Sequence, residues 1–329
     1  MRIGLALPHY DYSVPGESPL RFETIVTWAC RAEELGFDSL WISDHLSLDL
    51  AKYGGPAMPY GAFEPLSTIA ALARVVPRVR FGTLVLCEAL RPAAVLAKTL
   101  ATLDRLAGGR LDVGMGAGWH EPDYEAIGIA MPSAGERIAR LREALTILTE
   151  LLAGGPCTFE GRWHAARGAV VDPPPLQQPR PPVFVGGKGD RVIQTAVELS
   201  DGWNTCWVWT PDGYRDRLRA LERACEASAR DPATVWRSLG LYALCGENEA
   251  DLRRRFDRLR AAAPPGTLAV DLDEWRVGRL VGTVEQVREQ AVVWSDLGVE
   301  TLIVSLGAVP FQVSALDDLE PVIAALRTP

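Results

Sequence analysis

The chain has no CxxC pair and no cysteine–histidine cluster. Its six cysteines, at positions 30, 87, 157, 206, 225 and 245, are scattered, and its four histidines (His9, His45, His120, His164) are not spaced as ligand pairs. A zinc site and a disulfide framework are therefore not expected, and the cysteines read as buried thiols in a reducing cytoplasm. Positive charge is also short. With 34 Lys+Arg against 42 Asp+Glu the net charge is −8, which argues against nucleic acid as the main partner. No apolar run reaches the ~18 residues of a membrane helix. The N-terminal MRIGLALP lacks the apolar segment and cleavage site of a signal peptide, so a cytoplasmic protein is expected. There is no Gly-x-Ser-x-Gly elbow, no Walker A loop and no repeat period, which removes the usual signatures of a serine hydrolase, a P-loop enzyme and a solenoid.

What the chain does have is a regular alternation of short apolar runs with longer amphipathic stretches. Strands are expected at 2–8, 37–43, 79–86, 110–115, 182–186, 202–208, 236–245 and 300–305. Helices are expected at 19–35, 64–76, 93–106, 133–153, 189–200, 211–229, 248–262, 283–297 and 314–327, with Ser133 and Glu136 forming a capping-box pattern. Eight strands, each followed by a helix, predict a single (β/α)8 TIM barrel over 1–329. Insertions in its loops are expected at about 154–181, rich in Gly and Pro and read as a surface hairpin, and at about 262–282, read as a lid or flap. The rival, a doubly wound open sheet, would carry its glycine fingerprint after the first strand, where this chain has PHYDYSVPGES.

In a barrel of this kind the site lies where the strands end. After the second strand come Asp44 and His45, a carboxylate and an imidazole that can place a hydrogen bond or a proton at a ligand; the alternative is that Asp44 only secures a turn. After the fourth come Gly114–Trp119, then His120 and Glu121, which are either site residues or a helix start. After the fifth come Gly186, Gly187, Lys188, Gly189, Asp190 and Arg191, a turn into a helix that can cradle a phosphate or simply satisfy the turn geometry. Trp203, after the sixth, reads as packing at the barrel rim. The loop 46–63, with Tyr53, Tyr60 and Phe63, reads either as the substrate entrance or as ordinary surface. This tool kit suits a redox enzyme whose cofactor carries the hard chemistry.

Five blocks in order along the chain carry a resemblance: LGFDSLWISDHL (35–46), LAKTLATLDRLAGGRLDVGMGAGWHEPDYEAIGI (96–129), GERIARLREALTILTELL (135–152), PPVFVGGKGDRVIQTAVELSDGWN (181–204) and VGTVEQVREQ (281–290). They resemble the luciferase-like monooxygenase superfamily, and most of all its coenzyme F420-dependent oxidoreductase branch. The resemblance implies a cofactor phosphate resting on Gly116, Ala117 and Gly118 and on Gly186, Gly187, Lys188 and Gly189. It implies a tricyclic ring beside Asp44 and His45, with His45 exchanging the proton, and a non-proline cis peptide near Leu84–Val85 that props the ring. Such a protein would pass hydride between coenzyme F420 and a small organic carbonyl, alcohol, imine or activated alkene. The alternatives are an FMN-dependent monooxygenase fed by a separate reductase, and a flavin-binding barrel without catalysis. A homodimer is the assembly the relatives suggest. Two departures stand out. Arg91-Pro92-Ala93 alters the loop after the third strand. Ala117 and Asp49 occupy positions where members that oxidise sugar phosphates carry Glu and Trp, so a sugar-phosphate dehydrogenase is not expected.

Overall fold

The computed structural model describes residues 1–327. Eight parallel strands close on themselves: β1 (Arg2–Ala6), β2 (Ser39–Ile42), β3 (Arg80–Thr83), β4 (Leu111–Gly116), β5 (Val183–Gly186), β6 (Gly202–Trp207), β7 (Trp236–Gly246) and β8 (Thr301–Ser305). Each pairs with its neighbour in sequence, β4 with β5 through Val183↔Val113, and β8 returns to β1 through Arg2↔Thr301. The fold is the expected (β/α)8 barrel. The strands are apolar almost throughout because one face meets the helices and the other the barrel interior.

That interior is filled, not hollow. Trp41, Phe184 and Ile303 pack together inside the barrel, and Phe184 meets Trp41 and Trp236 edge to face at 5.6 and 5.1 Å. The Trp41 indole needs the space beside β3: a Cβ on Gly82 would stand 2.1 Å from it. These rings floor the open end where β2 to β6 stop. The larger apolar cluster lies between the strands and the surrounding helices, among them Phe22–Leu35, Ala93–Leu106 and Ala134–Leu152.

Several boundaries differ from the sequence reading. Strand β3 stops at Thr83, and its chain resumes pairing with β4 only at Leu86–Cys87. The Ser133 hydroxyl accepts from the Glu136 amide, but the Glu136 carboxylate turns to Arg140, so only half of the expected capping box forms. A full capping box sits instead at Thr283 and Gln286, at the start of the helix Val284–Asp296. The stretch 262–282 is anchored by a few side chains: Leu268, Leu272 and Trp275 are buried in one cluster with Phe256 and Tyr242, and Leu280–Thr283 adds a short strand to the end of β7. The segment 154–181 carries the hairpin Cys157–Glu160/Ala165–Ala169. Its tip is held down by Glu143, which accepts from the amides of Arg162, Trp163 and His164. Among the described residues no helix is long and apolar enough to cross a membrane.

Candidate active site

A cavity of 440 Å³ opens where the strands end. Twelve of the residues singled out in the sequence line it: Asp44, His45, Tyr53, Leu84, Val85, Gly116, Ala117, Gly118, Trp119, Gly186, Gly187 and Lys188. Gly189 does not; it is exposed and serves as the N-cap of the helix Asp190–Leu199.

The β2 edge is built from the inside out. Ser43 is buried, its hydroxyl against His9 Nε2 (3.0 Å) and the Tyr10 hydroxyl. His9 donates from Nδ1 to the Leu7 carbonyl (2.9 Å), so Nε2 accepts from Ser43. Burial drives the His9 pKa down to about 3, which keeps the ring neutral. Asp44 lies in the wall, but both of its oxygens are engaged. Arg91 grips it at 2.7 and 3.0 Å, and the Cys87 amide donates to it at 2.9 Å. Arg91 also reaches Glu64 at 2.6 Å. The Arg91-Pro92 departure thus ties the connection after β3 to both ends of the connection after β2, and Asp44 fastens the rim as an ion-paired group.

His45 is held differently. Its Nδ1 lies 2.6 Å from Asp123 Oδ2, while Asp123 Oδ1 accepts from the Leu46 amide at 2.9 Å. A carboxylate on Nδ1 keeps the proton there and leaves Nε2 as the exchangeable position. Asp123 sits on the short helix Glu121–Ala126, whose N-cap is His120. The His120 ring packs 5.4 Å from His45, its Nε2 makes no hydrogen bond, and burial lowers its pKa.

The opposite wall explains the glycines. The Leu84–Val85 peptide is cis, as the resemblance led one to expect, and Cys206–Trp207 is a second non-proline cis bond. Val85 lies between two strand ends: a Cβ on Gly116 would stand 2.6 Å from Val85 Cγ2, and one on Gly186 2.8 Å from Cγ1. Those two glycines make room for a valine. Gly118 has φ 71° and faces the Tyr124 hydroxyl, which donates to the Ala117 carbonyl. Trp203 is not at the rim. It is fully buried, and its indole N–H donates to the Gly187 carbonyl at 2.8 Å, which steadies the loop after β5. No side chain caps the helix that follows, so its first amides remain available to an anion.

Three cations line the cavity: Lys52, Arg137 and Lys188. Among the described residues none forms an ion pair with a carboxylate. Arg137 donates from Nε to the Gly118 carbonyl. The Lys52 ammonium stands 3.7 Å over the Trp119 ring, and that of Lys188 4.7 Å over Trp209. Burial lowers both lysine pKa values. Two thiols also face the cavity, and burial pushes Cys87 up to about 11 and Cys206 to about 12. Both are protonated near neutral pH, which disfavours thiolate catalysis. Asp123, Lys52 and Arg137 were not singled out in the sequence. The acidic first turn after Pro122 marks a helix start, but nothing local says that it folds onto His45.

The family model of the luciferase-like monooxygenases matches residues 1–301. The F420-dependent glucose-6-phosphate dehydrogenase of Kineococcus radiotolerans is 32% identical over 282 residues, 83% of this chain and 80% of the relative. With the Microbacterium testaceum protein of that name, identity is 34% over 190 residues, 57% of this chain, and the match spans 53% of the relative's length. The F420-dependent hydroxymycolic acid dehydrogenase of Mycobacterium tuberculosis is 27% identical over 335 residues, covering 99% of this chain and 86% of the relative. Among solved structures, an F420-dependent secondary alcohol dehydrogenase in complex with an F420-acetone adduct superposes with a TM-score of 0.76 over 99% of both chains; at 20% identity this likeness is one of fold. The chain therefore belongs to the luciferase-like monooxygenase family, in the branch that its F420-dependent dehydrogenase relatives occupy.

Proposed function

We propose that this protein is a coenzyme F420-dependent oxidoreductase that passes hydride between the deazaflavin and a small organic carbonyl, alcohol, imine or activated alkene. The reading rests on one observation: His45, aligned by Asp123, lines a cavity whose far wall is the Val85 ridge and whose rim carries unpaired cations. The residues present fit the cofactor. Val85, seated between Gly116 and Gly186, offers an apolar face to a flat ring. The uncapped helix start and Lys188 offer donors to a phosphate. Bound there, the deazaflavin supplies a hydride donor or acceptor.

The chain's own residues do the rest. His45 takes the proton from an alcohol oxygen as its C–H is oxidised, or returns it to a carbonyl oxygen in the reverse direction. Asp123 stabilises the imidazolium that forms. Asp44, neutralised by Arg91, holds the rim in register. With Ala at 117 and Asp at 49, the substrate is proposed to differ from the sugar phosphate named for several relatives. A homodimer, a cytoplasmic location and a separate reductase that regenerates the cofactor belong to the same proposal.

Titration of the purified protein with F420 and with FMN, followed by stopped-flow mixing with candidate substrates, tests the reading. F420 should bind and its ring should change redox state. His45→Asn should lower that rate by about 100-fold or more while leaving cofactor affinity nearly unchanged. Tight binding of FMN alone would point to a monooxygenase, and cofactor binding without turnover to a non-catalytic barrel.

A further inference from the structure

At the other end of the barrel, where the strands begin, lies a second cavity, of 660 Å³. Its wall is charged. Arg2 opens β1, Arg237 stands near the start of β7, Glu300 just precedes β8, and Arg327 follows the helix Leu319–Leu326. Asp38, ahead of β2, joins them. Arg237 is the unusual member. Its guanidinium lies flat on Gly298, where a Cβ would stand 2.5, 2.7 and 2.8 Å from Nη1, Cζ and Nη2. Among the described residues that guanidinium makes no hydrogen bond and no ion pair, and its Nε is buried without an acceptor. An uncompensated arginine is unexpected in a chain where 42 Asp+Glu outnumber 34 Lys+Arg.

The neighbouring carboxylates are committed elsewhere. Asp38 accepts from the Ile3 amide at 2.7 Å and from Arg327. Glu300 accepts from the backbone amide of Arg237 at 3.2 Å, not from its guanidinium. Arg2 lies 4.8 Å over the Trp236 ring. Its one carboxylate neighbour, Asp112 at 3.6 Å, is already gripped by Arg80 at 2.6 Å. Three guanidiniums thus share one cavity with two carboxylates, and each carboxylate already holds a backbone amide. A guanidinium is a rigid fork of donors that matches two oxygens of an oxyanion. A phosphate, with three terminal oxygens for three guanidiniums, suits the cavity better than a carboxylate with two. We propose that this cavity is a second ligand site, for the phosphate group of a small compound, with Arg237 gripping two of its oxygens and Arg2 and Arg327 adding charge. The site is separate from the chemistry at His45, which lies past the opposite end of β2. Its ligand would bridge β1, β7 and the helix Leu319–Leu326 where β8 closes on β1, and so favour the folded protein by mass action.

Inorganic phosphate is the probe, with acetate at matched ionic strength beside it. Each is titrated calorimetrically into the protein loaded with whichever of F420 or FMN it binds, which fills the cofactor's own phosphate position. Phosphate should bind without releasing cofactor, at least about tenfold more tightly than acetate, and should raise the thermal midpoint. Arg237→Met should weaken phosphate binding by about tenfold or more, as expected for loss of hydrogen bonds to a charged group, and leave cofactor affinity and turnover unchanged. Arg327→Gln, at an exposed position, should weaken it by about threefold and decides the matter if Arg237→Met does not fold. In a proton–nitrogen spectrum the indole signal of Trp236, beneath Arg2, should move with phosphate while that of Trp119, at the mouth, stays. The inference is overturned if phosphate does not bind, if acetate binds as well, if neither substitution weakens binding, or if Trp119 responds and Trp236 does not. A protein that binds neither cofactor would sink the proposed function instead, and the same titrations on the free protein would still decide this one.

Discussion

His45 and Asp123 show how one contact sets a side chain's chemistry. The carboxylate on Nδ1 fixes the tautomer and supports the charge that a proton from substrate would create. Asp123→Asn keeps the size but loses that support. It should lower kcat by about 10- to 100-fold with KM little changed, and the loss should show in the pH–rate profile, whereas a purely structural role would shift thermal stability instead. His9, beneath the same rim, gives a prediction about stability. Its pKa is depressed to about 3 in the folded protein, against an ordinary value of 6.5. Below pH 6.5 the unfolded chain gains a proton that the native state refuses, so stability falls as pH drops through the window from 6.5 to about 3. This one group should make the protein about 2 kcal/mol less stable at pH 5 than at pH 7. Denaturant unfolding of His9→Gln at the two pH values should show a correspondingly smaller difference; an unchanged difference would contradict the assignment. Of these residues the sequence disclosed His45 through its place after a strand. Asp123 was hidden, since 78 positions separate it from its partner.

The elements were legible where burial imposes a pattern and illegible where the backbone departs from one. Six of the eight barrel strands lie within the expected runs and the other two overrun theirs by one glycine, Gly116 and Gly246, because a strand buried on both faces is mostly apolar. The bend after Thr83 was implied only by the family resemblance and not by the residue pattern, and the strand Leu280–Thr283 was not foreseen. In the first case the run VRFGTLVL stays apolar straight through the break, and in the second a short apolar pair is flanked by arginine and glycine. Capping shows the same limit. The pattern Ser133-x-x-Glu136 met the rule but gives one bond, while Thr283-x-x-Gln286 gives two. Gln286→Ala, which removes the acceptor of the Thr283 amide, should therefore cost about 1 kcal/mol in chemical denaturation, whereas Glu136→Ala, which loses only a surface pair with Arg140, should cost about 0.3 kcal/mol. Equal costs would mean that the reciprocal bond at Thr283 adds nothing.

At the scale of the whole molecule, the count and order of elements sufficed for the barrel, and the rule that strand ends carry the site located the cavity. What the chain could not disclose is which loops converge. Lys52, Val85, Arg137 and Lys188 come from four connections and meet only because the barrel closes. The glycine-rich ends of β4 and β5 were read as places for a phosphate, yet Gly116 and Gly186 are required by a neighbouring valine, a contact no linear pattern reveals.

Cys87 and Cys206 stand in the wall of a chamber proposed for electron-pair traffic, with pKa values near 11 and 12. At pH 7 the anionic fraction of Cys87 is on the order of 10⁻⁴, and sulfur is attacked by peroxide and by alkylating reagents almost only as the anion. The protein should therefore shrug off oxidants that inactivate thiol-dependent enzymes. Brief exposure to iodoacetamide at pH 7 should leave turnover intact and both cysteines unlabelled by mass spectrometry, with labelling appearing only as the pH is raised well above 9. Rapid modification at neutral pH would show that these sulfurs are far less inert than their surroundings imply.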